Sequence, residues 1–172
     1  EGKLGTKSDG DSNLLFDQGP NGNALGSELV TNGTFDSDAS GWSADYSVAL
    51  SSDSGRLKMV NATTLGIARQ TVTVVVGKVY EVSVDMICSA GDSPDLRLLL
   101  GTSVYGTQYY SSGTVTSDTT VKRLITATST ALHVDVRNNG SAGTAAYFDN
   151  ISVKEVQNVG TINGAEIQAD GG

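Results

Sequence analysis

The sequence predicts an all-β protein, an antiparallel β-sandwich with extended N- and C-terminal arms. Short segments in which apolar and polar residues alternate follow one another between residues 28 and 156, and clusters of Gly, Asn, Asp and Ser separate them. None of these segments has the 3.6-residue apolar period of an amphipathic helix. Seven to nine short strands at such spacing are typical of a sandwich, so we expect that architecture.

The chain divides into an N-terminal arm (1–27), a folded core (28–156) and a C-terminal arm (157–172). Both arms are rich in glycine, low in charge and without a regular apolar period. Each carries isolated apolar side chains that are too few to form a core. We therefore predict that the arms become ordered against other chains and mediate assembly. The side chains expected to make these contacts are Leu14, Leu15, Phe16, Leu25, Ile162 and Ile167.

Two segments define the predicted core strands most clearly. VYEVSVDMICS (79–89) alternates regularly, which places Val82, Val84 and Met86 on the buried face. ALHVDVRNNG (131–140) alternates in the same way and ends at Asn-Gly, a strong signal for a tight turn. We therefore predict that this second segment forms a hairpin with the closing strand.

The closing strand, AAYFDNISVKEV (145–156), contains one irregularity. Phe148 and Ile151 have opposite parity although both residues suit a buried position, so the two-residue repeat fails at Asp149 and Asn150. One extra residue in a strand forms a β-bulge, which redirects a side chain and locally breaks pairing. The pattern predicts a bulge that redirects Asp149.

Composition and charge exclude several functions. The net charge is -8 and no cluster of Lys or Arg exists, so a phosphate backbone would be repelled and we expect no nucleic-acid partner. The longest apolar run, VTVVV, is far too short to span a bilayer, and we expect no membrane partner. The single cysteine, Cys88, excludes an internal disulfide.

No catalytic constellation is apparent in the sequence. His133 is the only histidine and its parity places it on the outward face, so a Ser-His-Asp triad cannot be built from it. Acidic residues such as Asp45 and Asp118 are scattered through predicted turns, and no pair converges as glycoside hydrolysis requires. We therefore predict that the protein is not an enzyme.

Three segments together resemble a known family. ELVTNGTFDSDASGWS (28–43), GKVYEVSVDM (77–86) and YFDNISVKEV (147–156) are similar to the opening, central and closing strands of carbohydrate-binding-module-like jelly rolls, relatives of the galactose-binding-like sandwiches. The resemblance covers residues 28–156 and is nearest to copies found in virion proteins of tailed bacteriophages. It implies a jelly-roll topology for the core.

The resemblance also implies a structural calcium ion. In the family the first and last core strands lie near each other, and carboxylates and main-chain carbonyls often hold calcium there. Carried over to this sequence, the resemblance nominates Asp36 and Asp149, with carbonyls of residues 32–34. Calcium takes six to eight oxygen ligands. The alternative interpretation is that Asp149 accepts backbone N–H bonds at the bulge and Asp36 starts a turn.

Sugar binding is the function that the resemblance implies most directly. It uses aromatic side chains that stack on sugar rings, flanked by polar side chains. The candidates in this sequence are Trp42, Tyr46, Arg69, Tyr105 and Tyr109. For Trp42 the alternative is a core position behind the first strand, and for the others it is a solvated polar face.

The arms favour an assembly subunit over a free binding module, since a module is usually trimmed to its sandwich. We predict a non-enzymatic virion structural protein of a tailed phage, which decorates the capsid or attaches to the tail, forms homo-oligomers and contacts other virion subunits. The alternatives are a carbohydrate-binding module that anchors to a surface glycan and a subunit of an extracellular filament. In each case the protein is expected in a virion or outside the cell.

Overall fold

A computed structural model of the chain describes residues 24–88 and 95–157. These residues form eleven strands and no helix. The described ranges accordingly contain no helix with the length and apolarity needed to cross a membrane. The strands are β1 (Ala24–Glu28), β2 (Ser43–Asp45), β3 (Val48–Ser52), β4 (Leu57–Asn61), β5 (Gly66–Thr73), β6 (Val79–Ile87), β7 (Leu96–Gly101), β8 (Tyr110–Ser111), β9 (Thr119–Thr126), β10 (Ala131–Asn138) and β11 (Ala145–Gln157).

The strands form two antiparallel sheets that face each other. Sheet A has the order β3-β4-β11-β6-β9, and β1 also pairs with β11. Sheet B has the order β2-β5-β10-β7-β8. The predicted all-β sandwich is thereby confirmed. The strands beyond the predicted number are short ones such as β2 and β8, which carry too few residues to show an alternation.

The core lies between the two sheets. The residues whose parity predicted burial on β6 and β11 are buried there, among them Val82, Val84, Met86 and Phe148, each 0% exposed. Alternation predicts burial well here because one face of each sheet packs on the other sheet while the opposite face meets solvent.

β11 carries the predicted bulge. Asp149 pairs with Asp85 of β6, and the next register partners are Ser152 and Ser83, so three steps on β11 oppose two on β6. Asn150, inside the bulge, has a left-handed φ of 48°. The extra residue restores the parity that places both Phe148 and Ile151 in the core.

β1 begins inside the predicted N-terminal arm. Leu25 pairs with Val156 of β11, so the sheet starts at residue 24 rather than at the predicted boundary of 28. Leu25 therefore contacts this chain's own closing strand. The other apolar side chains chosen for the arms lie outside the described residues: Leu14, Leu15, Phe16, Ile162 and Ile167.

The prediction of a β10–β11 hairpin is wrong. β10 belongs to sheet B and β11 to sheet A, so the connection at residues 139–144 carries the chain from one sheet to the other. Asn61 of β4 fixes this crossing, because its side-chain amide donates to the carbonyls of Asn138 and Gly140 at 2.8 and 2.9 Å. The Asn-Gly pair indicated a turn correctly, but it does not specify which strands the turn joins.

Candidate functional site

The outer face of sheet B collects charged and aromatic side chains on adjacent strands. Across β10, β5 and β2, Asp135 is the register partner of Arg69, and Arg69 is the partner of Ser43. Two residues further along β10, Arg137 pairs with the β5 residue that in turn pairs with Asp45 on β2. On β5 and β10 these positions have the parity opposite to the residues of the core between the sheets. We call the following residues the outer-face cluster: Asp45, Tyr46, Arg69, Tyr105, Asp135 and Arg137.

Tyr105 is held over this face at both of its ends. Its backbone N–H donates to the Asp135 carboxylate at 2.6 Å, and its hydroxyl donates to the Asp45 carboxylate at 2.8 Å. Arg69 also binds that Asp45 oxygen, at 2.9 Å. The bond to Asp45, together with burial, raises the pKa of Tyr105 to about 12, so its hydroxyl stays protonated at physiological pH and remains a donor. These bonds fix the position and direction of the side chain.

Tyr46 stands beside Tyr105. The two ring centroids are 5.7 Å apart and the ring planes are tilted by 55°. Tyr46 is 51% exposed, which is high for a large aromatic side chain. Both tyrosines have a left-handed backbone with φ of 60°. That conformation is uncommon for a bulky residue and costs on the order of 1–3 kcal/mol, and such strain concentrates at binding and catalytic sites.

Two arginines lie close to the Tyr105 ring. The guanidinium carbons of Arg69 and Arg137 are 5.9 and 5.6 Å from the ring centroid, within the range of a cation–π interaction. Arg69 also forms the ion pair with Asp45. The Nε of Arg137, in contrast, is buried and has no hydrogen-bond partner among the described residues. Burial lowers the pKa of Arg137, and the Asp135 charge opposes that effect.

Asp135 lies beneath the Tyr105 backbone and is 0% exposed. One of its oxygens, Oδ2, accepts the Tyr105 N–H, whereas Oδ1 is buried without a partner in the described part of the chain. Burial raises the pKa of Asp135, while the Tyr105 N–H and the Arg137 charge act in the opposite direction. Buried polar groups are nearly always hydrogen-bonded, so two unsatisfied atoms on neighbouring outward positions distinguish this face from an ordinary surface.

The structure brings three of the predicted sugar-site residues together, Tyr46, Arg69 and Tyr105. Sequence reasoning assigned Asp45 to a turn, but this residue ends β2 and holds both Arg69 and Tyr105. Asp135 and Arg137 were missed. The sequence did show that both residues have the outward parity on β10. Their contacts, however, depend on which strand lies beside β10, and the sequence does not show this.

Trp42 and Tyr109 are not part of this face. Trp42 is only 8% exposed, its ring centroid lies 5.5 Å from that of Phe35, and its Nε1 donates to the Asn32 carbonyl at 3.2 Å. It is a core residue, as in the alternative interpretation, because the indole packs in the core beside Phe35. The Tyr109 hydroxyl accepts the backbone N–H of Thr128 at 2.8 Å, and its ring packs against the core.

The predicted calcium ligands lie near the bulge of β11. Burial raises the pKa of Asp149, and the neighbouring charges of Asp85 and Asp36 raise it further, against the opposing hydrogen bond from the Asn150 N–H. That N–H donates to Asp149 Oδ1 at 2.7 Å. Asp36 accepts a hydrogen bond from Thr34 at 2.9 Å. Carboxylates therefore lie close to one another, but hydrogen bonds within the chain already engage them.

The fit to a calcium ion is poor in this arrangement. The Gly33 carbonyl, one of the predicted ligands, accepts the Ile151 N–H at 3.0 Å. Within residues 24–88 and 95–157, no group of three or more His, Cys, Asp and Glu side chains is arranged to hold a metal ion. The hydrogen bond to Asp149 matches the alternative interpretation, and calcium binding at Asp36 and Asp149 stays a prediction.

Comparisons with known proteins identify the fold. No protein-family model matches the chain. No curated protein matches it either. Among solved structures, one described as a CBM4 is 16% identical with a TM-score of 0.56, over 73% of this chain and 99% of that chain. The CBM22-1 xylan-binding domain of Paenibacillus barcinonensis Xyn10C is 18% identical with a TM-score of 0.55, over 77% of this chain and 96% of that domain.

A third similar structure is the enzymatically active domain of bacteriophage CBA120 tailspike protein 4. It is 11% identical with a TM-score of 0.55, over 75% of this chain but 21% of that chain. At these identities the likeness establishes the fold alone. The chain has the jelly-roll β-sandwich fold of the carbohydrate-binding modules, as the sequence resemblance implied.

Proposed function

We propose that the protein is a non-catalytic carbohydrate-binding module that holds a glycan chain on the outer face of sheet B. The observation that carries the proposal is the Tyr46–Tyr105 pair, two rings with centroids 5.7 Å apart that lie beside guanidinium and carboxylate groups. Aromatic rings offer apolar faces against which the C–H faces of sugar rings pack. Guanidinium groups donate hydrogen bonds to sugar hydroxyls.

The tilt of the two rings favours a single glycan chain over a flat crystalline surface. Two rings that both lie flat on a planar surface must be nearly parallel, whereas Tyr46 and Tyr105 differ in orientation by 55°. Successive sugar rings of a free chain can rotate relative to each other and meet both tyrosines in turn. The proposed ligand is therefore a soluble or amorphous polysaccharide.

The chemistry of the face supports binding rather than catalysis. Asp45 and Asp135 are the two carboxylates of the outer-face cluster, and both already accept hydrogen bonds from Tyr105. Their role in this proposal is to position the ring. The fold neighbours also support the proposal, since one is described as a CBM4 and another as a xylan-binding domain.

A glycan array followed by calorimetric titration of the positive glycans tests this proposal. Tyr105→Ala and Tyr46→Ala should each weaken binding by about 2 kcal/mol, roughly 30-fold in Kd, as expected for a central aromatic anchor. Tyr147→Ala is the matched control, because Tyr147 also contacts an arginine, Arg56 at 4.7 Å, but belongs to sheet A. It should bind like the unaltered protein. Equal losses in all three variants, or no glycan bound by the unaltered protein, would contradict the proposal.

A second proposal, compatible with the first, is that the module is displayed on a tailed-phage particle. The likeness to a phage tailspike favours it, and favours the tail over capsid decoration. The protein would then be located in the virion and assemble with copies of itself or with other virion subunits. Quantitative mass spectrometry of purified particles tests this proposal. A handful of copies per particle supports attachment to the tail, hundreds indicate capsid decoration, and absence from the particle contradicts the proposal.

A further inference from the structure

Three arginines point outward from the central strands of sheet B, and one of them forms no ion pair within the part of the chain that the structure describes. Arg69 is paired with Asp45 at 2.9 Å. Arg97 is bound by Asp95 through two hydrogen bonds of 3.1 and 3.2 Å. Arg137 takes part in none of the ion pairs among the described residues. Its Nε is also buried without a hydrogen-bond partner in the same ranges.

The position of Arg137 makes this lack of a direct ion pair unfavourable. Arg137 and Arg97 are register partners on β10 and β7, and like charges directly opposite each other destabilise an antiparallel pair. Burial lowers the pKa of Arg137, the Asp135 charge opposes that effect, and the Arg97 charge adds to it. Asp135, two residues earlier on the same face, is fully buried and already accepts the Tyr105 N–H. The half-buried Arg137 therefore has the Asp135 charge nearby but no direct ion pair within residues 24–88 and 95–157.

We propose that Arg137 recognises a carboxylate on the glycan, so that the ligand contains an acidic sugar, a uronic acid. This inference rests on the glycan-binding function proposed above. The guanidinium group presents a planar fork of donors that matches the two oxygens of a carboxylate. A sugar stacked beside Tyr105 lies next to this fork, since the Arg137 guanidinium carbon is 5.6 Å from the ring centroid.

A bound carboxylate would resolve both unfavourable features of the site. It supplies an acceptor for the Arg137 guanidinium group, which forms no ion pair among the described residues, and a negative charge beside the Arg97–Arg137 pair. A neutral hydroxyl supplies an acceptor but no charge. A phosphate monoester carries about -1.5 to -2 charges at neutral pH, more than one guanidinium balances in a site that already holds Asp45 and Asp135. A singly charged carboxylate fits both requirements.

The test compares acidic oligosaccharides with their carboxyl-reduced forms, in which each carboxylate is replaced by a hydroxymethyl group. The probes are glucuronate-substituted xylooligosaccharides and oligogalacturonates, titrated calorimetrically into the full chain. The acidic forms should bind on the order of 10- to 100-fold more tightly, as expected for hydrogen bonds between charged groups. The preference should decrease as ionic strength rises, because salt screens the interaction.

Variants assign the preference to Arg137. Arg137→Gln should remove the preference and retain binding of the reduced forms, and Arg137→Lys, which keeps the charge but lacks the fork, should retain part of it. Arg123→Gln is the matched control, since Arg123 lies 4.4 Å over the Tyr110 ring but extends from sheet A. It should keep the full preference. The unfolding temperature of Arg137→Gln is measured alongside to show that the variant is folded, because the change removes a charge that Arg97 opposes and Asp135 favours.

Each outcome is decisive. Equal affinity for the acidic and the reduced forms overturns the role of Arg137. A full preference for the acidic forms that persists in Arg137→Gln also overturns it. Neither result contradicts the proposed glycan-binding function. Tighter binding of sulfated than of carboxylated sugars also overturns the uronic-acid assignment. If neither the acidic nor the reduced forms bind and the array retains no other glycan, the proposed function itself fails. If Arg137→Gln does not fold, the comparison on the unaltered chain still tests the preference for acidic sugars, and Arg137→Lys tests whether Arg137 provides it.

Discussion

Replacing Tyr105 with Phe removes one hydroxyl and keeps the aromatic ring, so it separates the positioning of the ring from its stacking on sugar. The hydroxyl donates to the charged Asp45 at 2.8 Å. Hydrogen bonds to charged groups are worth about 1.5–3 kcal/mol when fully buried. The Asp45 side chain is 25% exposed and keeps its Arg69 partner, so solvent screening reduces the expected loss to about 1 kcal/mol. For a chain of this size that loss lowers Tm by about 2–4 °C.

The assay is thermal and urea unfolding of Tyr105→Phe, Asp45→Asn and the double variant. We expect the two single changes to be non-additive by about 1 kcal/mol, because each removes a partner of the same hydrogen bond. Glycan affinity should fall less in Tyr105→Phe than in Tyr105→Ala, since the ring remains.

Alkaline pH provides a second measure of the same bond. The raised pKa of Tyr105 means that its contribution to stability is present below the unfolded-state pKa of about 10 and is lost as pH rises through about 12. Tyr105→Phe should lack this part of the alkaline loss. Full additivity in the cycle, together with unchanged alkaline behaviour, would refute the argument that Asp45 holds the ring.

Three further predictions concern the core, the bulge and the termini. Phe148→Ala should lower the free energy of unfolding by about 3–5 kcal/mol in urea titrations, because Phe148 is fully buried, and a loss below 1 kcal/mol would contradict its core role. Burial raises the pKa of Asp149, so the ionised carboxylate destabilises the fold. With chelator present, Asp149→Asn should therefore have a higher Tm than the unaltered chain at pH 7. This difference in Tm should disappear below pH 3.8, where the carboxyl group is protonated. If calcium binds there, added calcium should raise the Tm of the unaltered chain and not of Asp149→Asn, whereas identical melts with and without chelator would remove the metal. A fragment of residues 24–157 should melt close to the full chain and a fragment of 28–156 clearly lower, because only the shorter fragment loses most of β1; equal melts would show that β1 does not contribute.

The sequence was most informative where the deciding pattern is local. The bulge at Asp149 and the burial of Phe148 follow from a two-residue parity that a single strand displays by itself. The strand order β2-β5-β10, which joins Asp45, Arg69 and Asp135 on one face, is not local, and no single segment contains it.

Two features of the site had weaker signals. The left-handed backbone that orients Tyr46 and Tyr105 leaves no pattern in the sequence, since bulky residues rarely adopt it. The sequence was compatible with Trp42 either on a stacking surface or in the core, and its burial in the structure shows that it is a core residue. The sequence therefore predicted the fold and nominated the two tyrosines, whereas the carboxylates that hold Tyr105 and the position of Arg137 beside its ring could be found only from the strand order.

The most direct test of the central claim, that the outer face of sheet B binds a glycan, is an NMR titration of the isotope-labelled full chain with an oligosaccharide selected on the array. Amide signals of Tyr46, Arg69, Tyr105 and Arg137 should shift with a common Kd, and the same titration on Tyr105→Ala should show a much weaker response. Signals of sheet A residues such as Tyr147 should stay unchanged, because that strand faces the opposite side of the sandwich. Shifts confined to sheet A, or undiminished shifts in Tyr105→Ala, would contradict the claim.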